Sequence, residues 1–198
     1  MHTPWGLSQQ QKKIADGITS YSTASHGGYH VSAERLAEMP ECIRDFTTYA
    51  GAGWYEEDCD WCLVVLSFPS LFDARSCYYA VKTLKMSTSD YFKGMAAAYW
   101  KTPQAIAAQD KANLFEKENA DKYASGSSSY GSGRAIIWAQ HMTTGARITV
   151  KFEWPARDKS SNLPQFFTLA EAEALGAEVM TESGYKLVTH EKAEVIAS

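Results

Sequence analysis

Two short segments hold most of the side chains that could do chemistry. Residues 22–32 place His26 and His30, two of the five histidines, on either side of a glycine pair. Imidazoles titrate near neutral pH, and glycines let a backbone approach a ligand closely. Residues 54–62 add four carboxylates, two thiols and two indoles. Each segment borders a predicted strand, where polar clusters commonly build sites, so we expect the two to lie close together and share a site.

If this shared site catalyses a reaction, the candidate acid–base groups are His26, His30 and Glu57. A turn could also bring both imidazoles beside Asp58, Glu56 or Glu57, but a zinc site requires three or four converging ligands. Hydrogen bonds from Ser, Thr and His to their own backbone are the simpler explanation of the His/Gly segment. We therefore predict no cofactor and keep His26, His30 and Asp58 only as alternative metal ligands.

The acidic and aromatic segment is a candidate binding surface, because aromatic residues beside charges are typical of recognition surfaces. Its members are Trp54, Tyr55, Glu56, Glu57, Asp58, Asp60 and Trp61. The spacing of Cys59 and Cys62 is that of redox pairs, but the pair leads into an apolar run that we predict to be a strand. Residues three apart in a strand face opposite sides, so we interpret these cysteines as structural.

Composition narrows the classes of protein. With 198 residues and 45% hydrophobic residues, the chain can bury one core of its own. A net charge of −4 is too mild for a mimic of DNA, and it argues against a broad basic surface, so we expect no direct nucleic-acid binding. No apolar run approaches the roughly 20 residues that span a bilayer. The four cysteines, with no signal peptide ahead of them, predict reduced thiols and a cytoplasmic protein.

Periodicity predicts an α+β fold in a single domain, with a mixed or antiparallel sheet, a helical middle segment and a C-terminal hairpin. A strand is expected from Ile18, followed by a His/Gly loop and a helix that Ser32 caps. The continuous apolar run 61–68 predicts a central strand buried on both faces. Three helices should follow, over residues 70–85 with Ser70 as the cap, 89–100 and 103–123.

The second half of the chain is predicted to be mostly β. Residues 125–133, rich in Gly and Ser, predict a flexible loop between residues 1–124 and 134–198 of one domain. Segments 135–141 and 147–154 alternate apolar and polar residues and predict a hairpin. Thr168 and Glu171 have the spacing of a capping box, and segments 178–180 and 185–189 predict a closing hairpin.

Several unusual blocks resemble an uncharacterised family of domains in phage and plasmid open reading frames. The blocks are Thr3-Pro4-Trp5-Gly6, residues 22–32 with Arg35, Met39 and Pro40, and residues 53–61. The resemblance covers about the first third to half of the chain and implies a genomic setting without an activity.

That setting implies a counter-defence protein of the anti-CRISPR or antirestriction type, which inhibits a host defence protein by stoichiometric binding in the bacterial cytoplasm. The alternative is a metal-dependent or acid–base hydrolase, or a nucleotide-modifying enzyme, that uses His26, His30 and the segment Glu56 to Asp58. A minor structural protein is a third possibility, although the sequence lacks repeats and coiled coils. The oligomeric state stays open.

Overall fold

The chain forms two compact units with separate hydrophobic cores. The computed structural model describes residues 1–51, 53–86, 91–184 and 186–187. The units are Met1–Glu116 and Lys117–Ser198, so the division falls earlier than the Gly/Ser segment that the sequence suggested. The fold class is α+β, and every strand pair is antiparallel, within the predicted class. Within the described part of the chain, no helix has the length and apolar character needed to cross a membrane.

The first unit contains a four-stranded sheet in the order β3-β4-β5-β6 and a separate two-stranded ribbon, β1-β2. The predicted strand from Ile18 is confirmed as β4. The two glycines predicted to lie in a loop instead open β5, since each pairs with a residue of β4. The strands are β1 (His2–Thr3), β2 (Gly6–Leu7), β3 (Gln10–Ala15), β4 (Ile18–Ser22), β5 (Gly27–Val31) and β6 (Trp54–Glu56).

The helices of this unit lie in the chain both before and after β6. The Ser32 cap is confirmed, because its hydroxyl accepts the Arg35 backbone N–H. The helices are α1 (Ala33–Glu38), α2 (Glu41–Arg44), α3 (Trp61–Ser67), α4 (Ala74–Met86), α5 (Lys93–Tyr99) and α6 (Pro103–Glu118).

Two predictions in this region are wrong. The apolar run 61–68 forms helix α3 rather than a central strand, and its residues from Cys62 to Ser67 are all buried. Ser70 does not cap the next helix, because it lies in the 3-10 turn Pro69–Leu71. Instead the Asp73 carboxylate accepts the Ser76 backbone N–H at 2.7 Å and begins α4. Part of the predicted helix 89–100, namely residues 89 and 90, lies outside the described residues.

The core of the first unit is built around α3. Leu63, Val64 and Leu66 are fully buried there, together with Ile18 and Val31 from the sheet. An apolar helix with every side of its surface covered is expected at the centre of a layered core. The sheet therefore presents one face to this core and the other to the candidate site.

The second unit is a six-stranded antiparallel sheet in the order β10-β7-β8-β9-β11-β12, with one helix, α7 (Leu169–Ala174). Residues 125–133 are not a loop, because most of them extend β7, which turns into β8 through Ser132 and Gly133. The strands are β7 (Tyr123–Gly131), β8 (Arg134–His141), β9 (Arg147–Glu153), β10 (Phe166–Phe167), β11 (Glu178–Thr181) and β12 (Lys186–Leu187).

The other predictions for this unit are confirmed. Strands β8 and β9 form the expected hairpin, and Ile148, Val150 and Phe152 are buried on one face. The capping box between Thr168 and Glu171 is present at the start of α7. Strands β11 and β12 form the closing hairpin; Tyr185 and residues 188–189 of the prediction lie outside the described residues.

Candidate functional site

The hairpin between β4 and β5 positions His26. The Thr23 hydroxyl donates to the His26 carbonyl at 2.8 Å and accepts the His26 backbone N–H at 3.2 Å. The Thr23 backbone N–H also donates to the His26 carbonyl at 2.7 Å. The loop is therefore held by hydrogen bonds between Thr23 and the backbone of His26, as the simpler explanation of this segment expected.

Strand β6 brings the acidic segment to the same place. Gly28 of β5 pairs with Glu56 of β6, and the Glu57 backbone N–H donates to the Gly27 carbonyl at 3.0 Å. One ligand atom each from His26, Glu56 and Glu57 lie within 4.8 Å of one another. The structure thus brings together the two segments that the sequence placed at a shared site.

Within this His–Glu cluster, made of His26, Glu56 and Glu57, the three side chains differ in exposure. His26 Nδ1 lies 3.5 Å from Glu56 Oε1, with 49% of the His26 side chain exposed but only 13% of the Glu56 side chain. Glu57 is exposed. In the described part of the chain, neither glutamate forms an ion pair with Lys or Arg. The cluster therefore concentrates negative charge beside His26 without a Lys or Arg partner among the described residues.

Glu56 is fixed in place by its other carboxylate oxygen. Its Oε2 accepts the Asp58 backbone N–H at 3.0 Å and the Cys59 thiol at 3.4 Å. Its Oε1 is the oxygen that faces His26. An oriented carboxylate beside an imidazole can hold a general base in position, and the same three groups can also ligate a divalent cation.

Gly27 makes room for the second carboxylate. A Cβ at this position would lie 2.5 Å from Glu57 Oε2 and 2.8 Å from the Tyr21 carbonyl oxygen. Any side chain here would displace Glu57 from the cluster. The glycine pair thus allows a close approach to the backbone, as the sequence suggested. The groups that approach it belong to this chain rather than to a ligand.

Aromatic rings line the same face of the sheet beside the cluster. The Trp54 ring centroid lies 5.6 Å from those of Trp5 and Tyr21 and 4.5 Å from that of His30. Trp5 also covers Gly28, where a Cβ would lie 2.5 Å from its ring. His30 therefore belongs to a group of tilted and edge-on aromatic rings and is not part of the His–Glu cluster.

Several predicted binding residues lie beneath the surface. The Tyr55 side chain is 2% exposed, faces the core and donates its hydroxyl to Met39 Sδ at 3.2 Å. Tyr55 was predicted to belong to a binding surface but faces the core, because alternate residues of a strand face opposite sides. Asp60 is 0% exposed, so its carboxylate does not reach the surface either. Trp61 is half-buried and packs against the core at the start of α3.

Asp60 instead organises two tyrosines. Its Oδ1 accepts the Tyr91 hydroxyl at 2.7 Å, and its Oδ2 accepts the Tyr49 backbone N–H at 3.1 Å. Burial raises the pKa of this carboxyl above its ordinary value, although both hydrogen bonds oppose the shift. Asp60 is thus a structural acid behind the site.

The cysteine pair is structural, but for a different reason from the one the sequence suggested. Cys59 and Cys62 flank the start of a helix, not a strand, and the Cys62 thiol donates to the Cys59 carbonyl. Burial, together with the charge of Asp60, raises the pKa of both thiols to about 12. Reactive redox pairs require a lowered thiol pKa, so these thiols stay protonated and unreactive.

Sequence reasoning missed the contributions of Trp5 and Tyr21 to this face and of Tyr49 and Tyr91 to the Asp60 network. Trp5 lies in a block that the resemblance included, and the alternation of β4 places Tyr21 on the face of His30. Tyr49 and Tyr91 are far apart in sequence, and no local pattern links them to Asp60.

The fold and the cluster define an α+β protein whose first unit carries a histidine and two glutamates at the edge of an antiparallel sheet. The chain belongs to the family described as "Domain of unknown function (DUF7007)", whose family model matches residues 1–120. No curated protein and no solved structure matches the chain. The family match spans the whole of the first unit, so the His–Glu cluster lies within the family domain.

Proposed function

We propose that the His–Glu cluster is the functional site of the first unit and binds a divalent cation that serves a hydrolytic reaction. The observation that carries this proposal is the convergence of His26, Glu56 and Glu57 within 4.8 Å. One imidazole nitrogen and two carboxylate oxygens form a donor set that suits zinc or manganese. A bound divalent cation supplies Lewis acidity and lowers the pKa of water.

The surroundings of the cluster support this proposal. Two carboxylates close together without a Lys or Arg partner among the described residues repel each other, and a cation would relieve that repulsion. The hydrogen bonds that Glu56 accepts from Asp58 and Cys59 are of the kind that orient a metal ligand.

Metal binding to the purified full-length protein tests the proposal directly. After chelation and dialysis, calorimetric titration with Zn²⁺ or Mn²⁺ should show one site per chain. We expect His26→Ala and Glu57→Gln each to weaken binding by about tenfold or more, since each removes one of three ligands. His2→Ala, which changes another exposed histidine of the first unit, is the control and should bind like the unmodified protein. Equal binding by all four proteins, or binding by none, would contradict the proposal.

The second candidate is stoichiometric inhibition of a host defence protein, of the anti-CRISPR or antirestriction type, in the bacterial cytoplasm. Glu57 and Asp58 are exposed beside the half-buried Trp54, so an acidic and aromatic edge remains after Tyr55 and Asp60 are removed from the expected surface. Such an edge would attract Lys and Arg of a nucleic-acid-binding partner. The buried positions of Tyr55 and Asp60 make this the weaker of the two proposals.

A defence assay in cells separates the candidates. Cells that carry a defence system are challenged with phage while they express the unmodified protein, a Glu57→Lys/Asp58→Lys variant or a His26→Ala variant. Inhibition by binding predicts that charge reversal abolishes protection of the phage and that His26→Ala leaves it nearly intact. Catalysis predicts instead that the unmodified protein protects the phage at levels well below those of the target, and that His26→Ala abolishes this protection.

A further inference from the structure

A second concave site lies in the first unit, beside but distinct from the His–Glu cluster. It is a cleft of about 550 Å³ between helix α4 and the segments that carry Tyr49, Asp58, Cys59 and Tyr91. This volume falls within the range of about 300–1,000 Å³ that holds small organic ligands. The cleft is therefore large enough for one small molecule.

A fixed aromatic platform forms one wall of the cleft. The Tyr49 ring stacks on the Tyr91 ring, with centroids 4.7 Å apart and planes inclined by 19°. The buried Asp60 holds both residues, through the Tyr91 hydroxyl and the Tyr49 backbone N–H. The Tyr49 side chain is nevertheless 73% exposed. A planar ring could stack on this platform at little entropic cost.

Polar groups of both signs complete the cleft. Lys82 of α4 forms no ion pair with any carboxylate in the described ranges, and its ammonium lies 5.6 Å from the Tyr78 ring centroid. Thr83, next to it, has a hydroxyl with no hydrogen-bond partner in those ranges. Asp58 contributes an exposed carboxylate from the other side.

We propose that this cleft binds a nucleoside monophosphate. The base would stack on Tyr49, the phosphate would contact the Lys82 ammonium and the Thr83 hydroxyl, and the sugar hydroxyls or an exocyclic amine would donate to Asp58. A nucleotide combines a planar ring that can stack on Tyr49, an anion that can pair with Lys82 and hydrogen-bond donors that match the Asp58 carboxylate. A purely apolar ligand would leave Lys82 and Asp58 unused.

This proposal does not rest on the proposed metal site. The two sites share Asp58 and Cys59, which donate hydrogen bonds to Glu56 Oε2 and also line the cleft. Nucleotide binding is therefore to be measured in the presence of a chelator. Under this condition the result does not depend on a bound metal ion.

Calorimetric titration of the full-length protein with AMP, GMP, CMP and UMP, each compared with its nucleoside, is the test. At least one monophosphate should bind at one site per chain, and its nucleoside should bind about tenfold more weakly because the phosphate contact is lost. Lys82→Ala should abolish the difference between nucleotide and nucleoside. Tyr49→Ala should weaken both by about tenfold, because stacking does not depend on the phosphate.

The chain offers matched controls for both substitutions. Lys85→Ala removes the same charge from the same helix outside the cleft, and Tyr130→Ala removes another exposed tyrosine, from the second unit. Both should bind like the unmodified protein. Tyr49→Ala should fold, since the exposed ring is removed while the backbone N–H to Asp60 remains. The proposal is overturned if no monophosphate binds, if nucleosides bind as tightly as nucleotides, or if the control variants weaken binding equally.

Discussion

Gly28 shows how a single residue determines the face that carries the candidate site. Its φ is +154°, and a Cβ there would lie 2.2 Å from the Tyr55 carbonyl oxygen and 2.5 Å from the Trp5 ring. We expect Gly28→Ala to lower the free energy of unfolding of the first unit by about 1–3 kcal/mol or more, because the backbone of β6 cannot move aside cheaply. Urea denaturation followed by tryptophan fluorescence measures this change.

Gly94→Ala is the matched control for that substitution. Gly94 lies in helix α5, and a Cβ there would have no neighbouring atom within 4 Å. Replacing it should raise the stability by about 0.5–1 kcal/mol, since alanine has the higher helix propensity. Equal effects of the two substitutions would show that the close packing at Gly28 does not limit stability.

The buried carboxyl of Asp60 should make the stability of the first unit fall as the pH rises. Burial raises its folded-state pKa above the ordinary value of 3.8, so protonation favours the folded state. The resulting stabilisation is present below that value and is lost as the pH rises through the folded-state pKa. Asp60→Asn cannot ionise and lacks this loss. The stability of the unmodified protein relative to Asp60→Asn should therefore fall as the pH rises above 3.8 and through the folded-state pKa, as urea titrations at each pH would show.

Residue types predicted part of the candidate site. His26, Glu56 and Glu57 could be selected because imidazole and carboxylate groups are rare in such density, and the structure places them together. The separation of His30 from this group could not be predicted. It follows from strand alternation and from pairing with Trp54, and both depend on β5 starting at Gly27 rather than after the glycines.

At the scale of elements, the run 61–68 shows why periodicity alone is insufficient. A short, continuous apolar run fits a strand buried on both faces and a fully buried helix equally well. Val64 and Val65 are β-branched and favour a strand, but tertiary packing outweighs that preference in α3. Where only one face is buried, as in β8, β9 and α4, periodicity predicted the elements correctly because apolar and polar residues alternate with a defined period.

The central position of α3 predicts a large cost for truncating it. Leu63 is 0% exposed, so Leu63→Ala should destabilise the first unit by about 2–5 kcal/mol. Leu114→Ala, on the surface of α6 with the leucine 51% exposed, should change stability by no more than about 0.5 kcal/mol. Chemical denaturation of both variants checks the contrast. A small effect at Leu63 would mean that α3 is not the centre of the core.

At the scale of the whole molecule, periodicity predicted the α+β class, but the sequence did not predict the number of cores. A chain of 198 residues is long enough for one core or for two small ones, and composition does not distinguish them. The family model ends at residue 120, close to the end of the first unit at Glu116. The second unit, with its own sheet and core, therefore lies almost wholly outside the family domain.

Separate cores predict that damage to one unit spares the other. Phe152 is 0% exposed in the core of the second unit, so Phe152→Ala should destabilise that unit by about 3–5 kcal/mol. The indole N–H signals of Trp138 and Trp154 report on the second unit in NMR spectra, and those of Trp54 and Trp100 report on the first. On heating the variant, we expect the second-unit signals to lose their dispersion while the first-unit signals keep theirs. Simultaneous loss of all four signals would show that the two cores unfold as one cooperative unit.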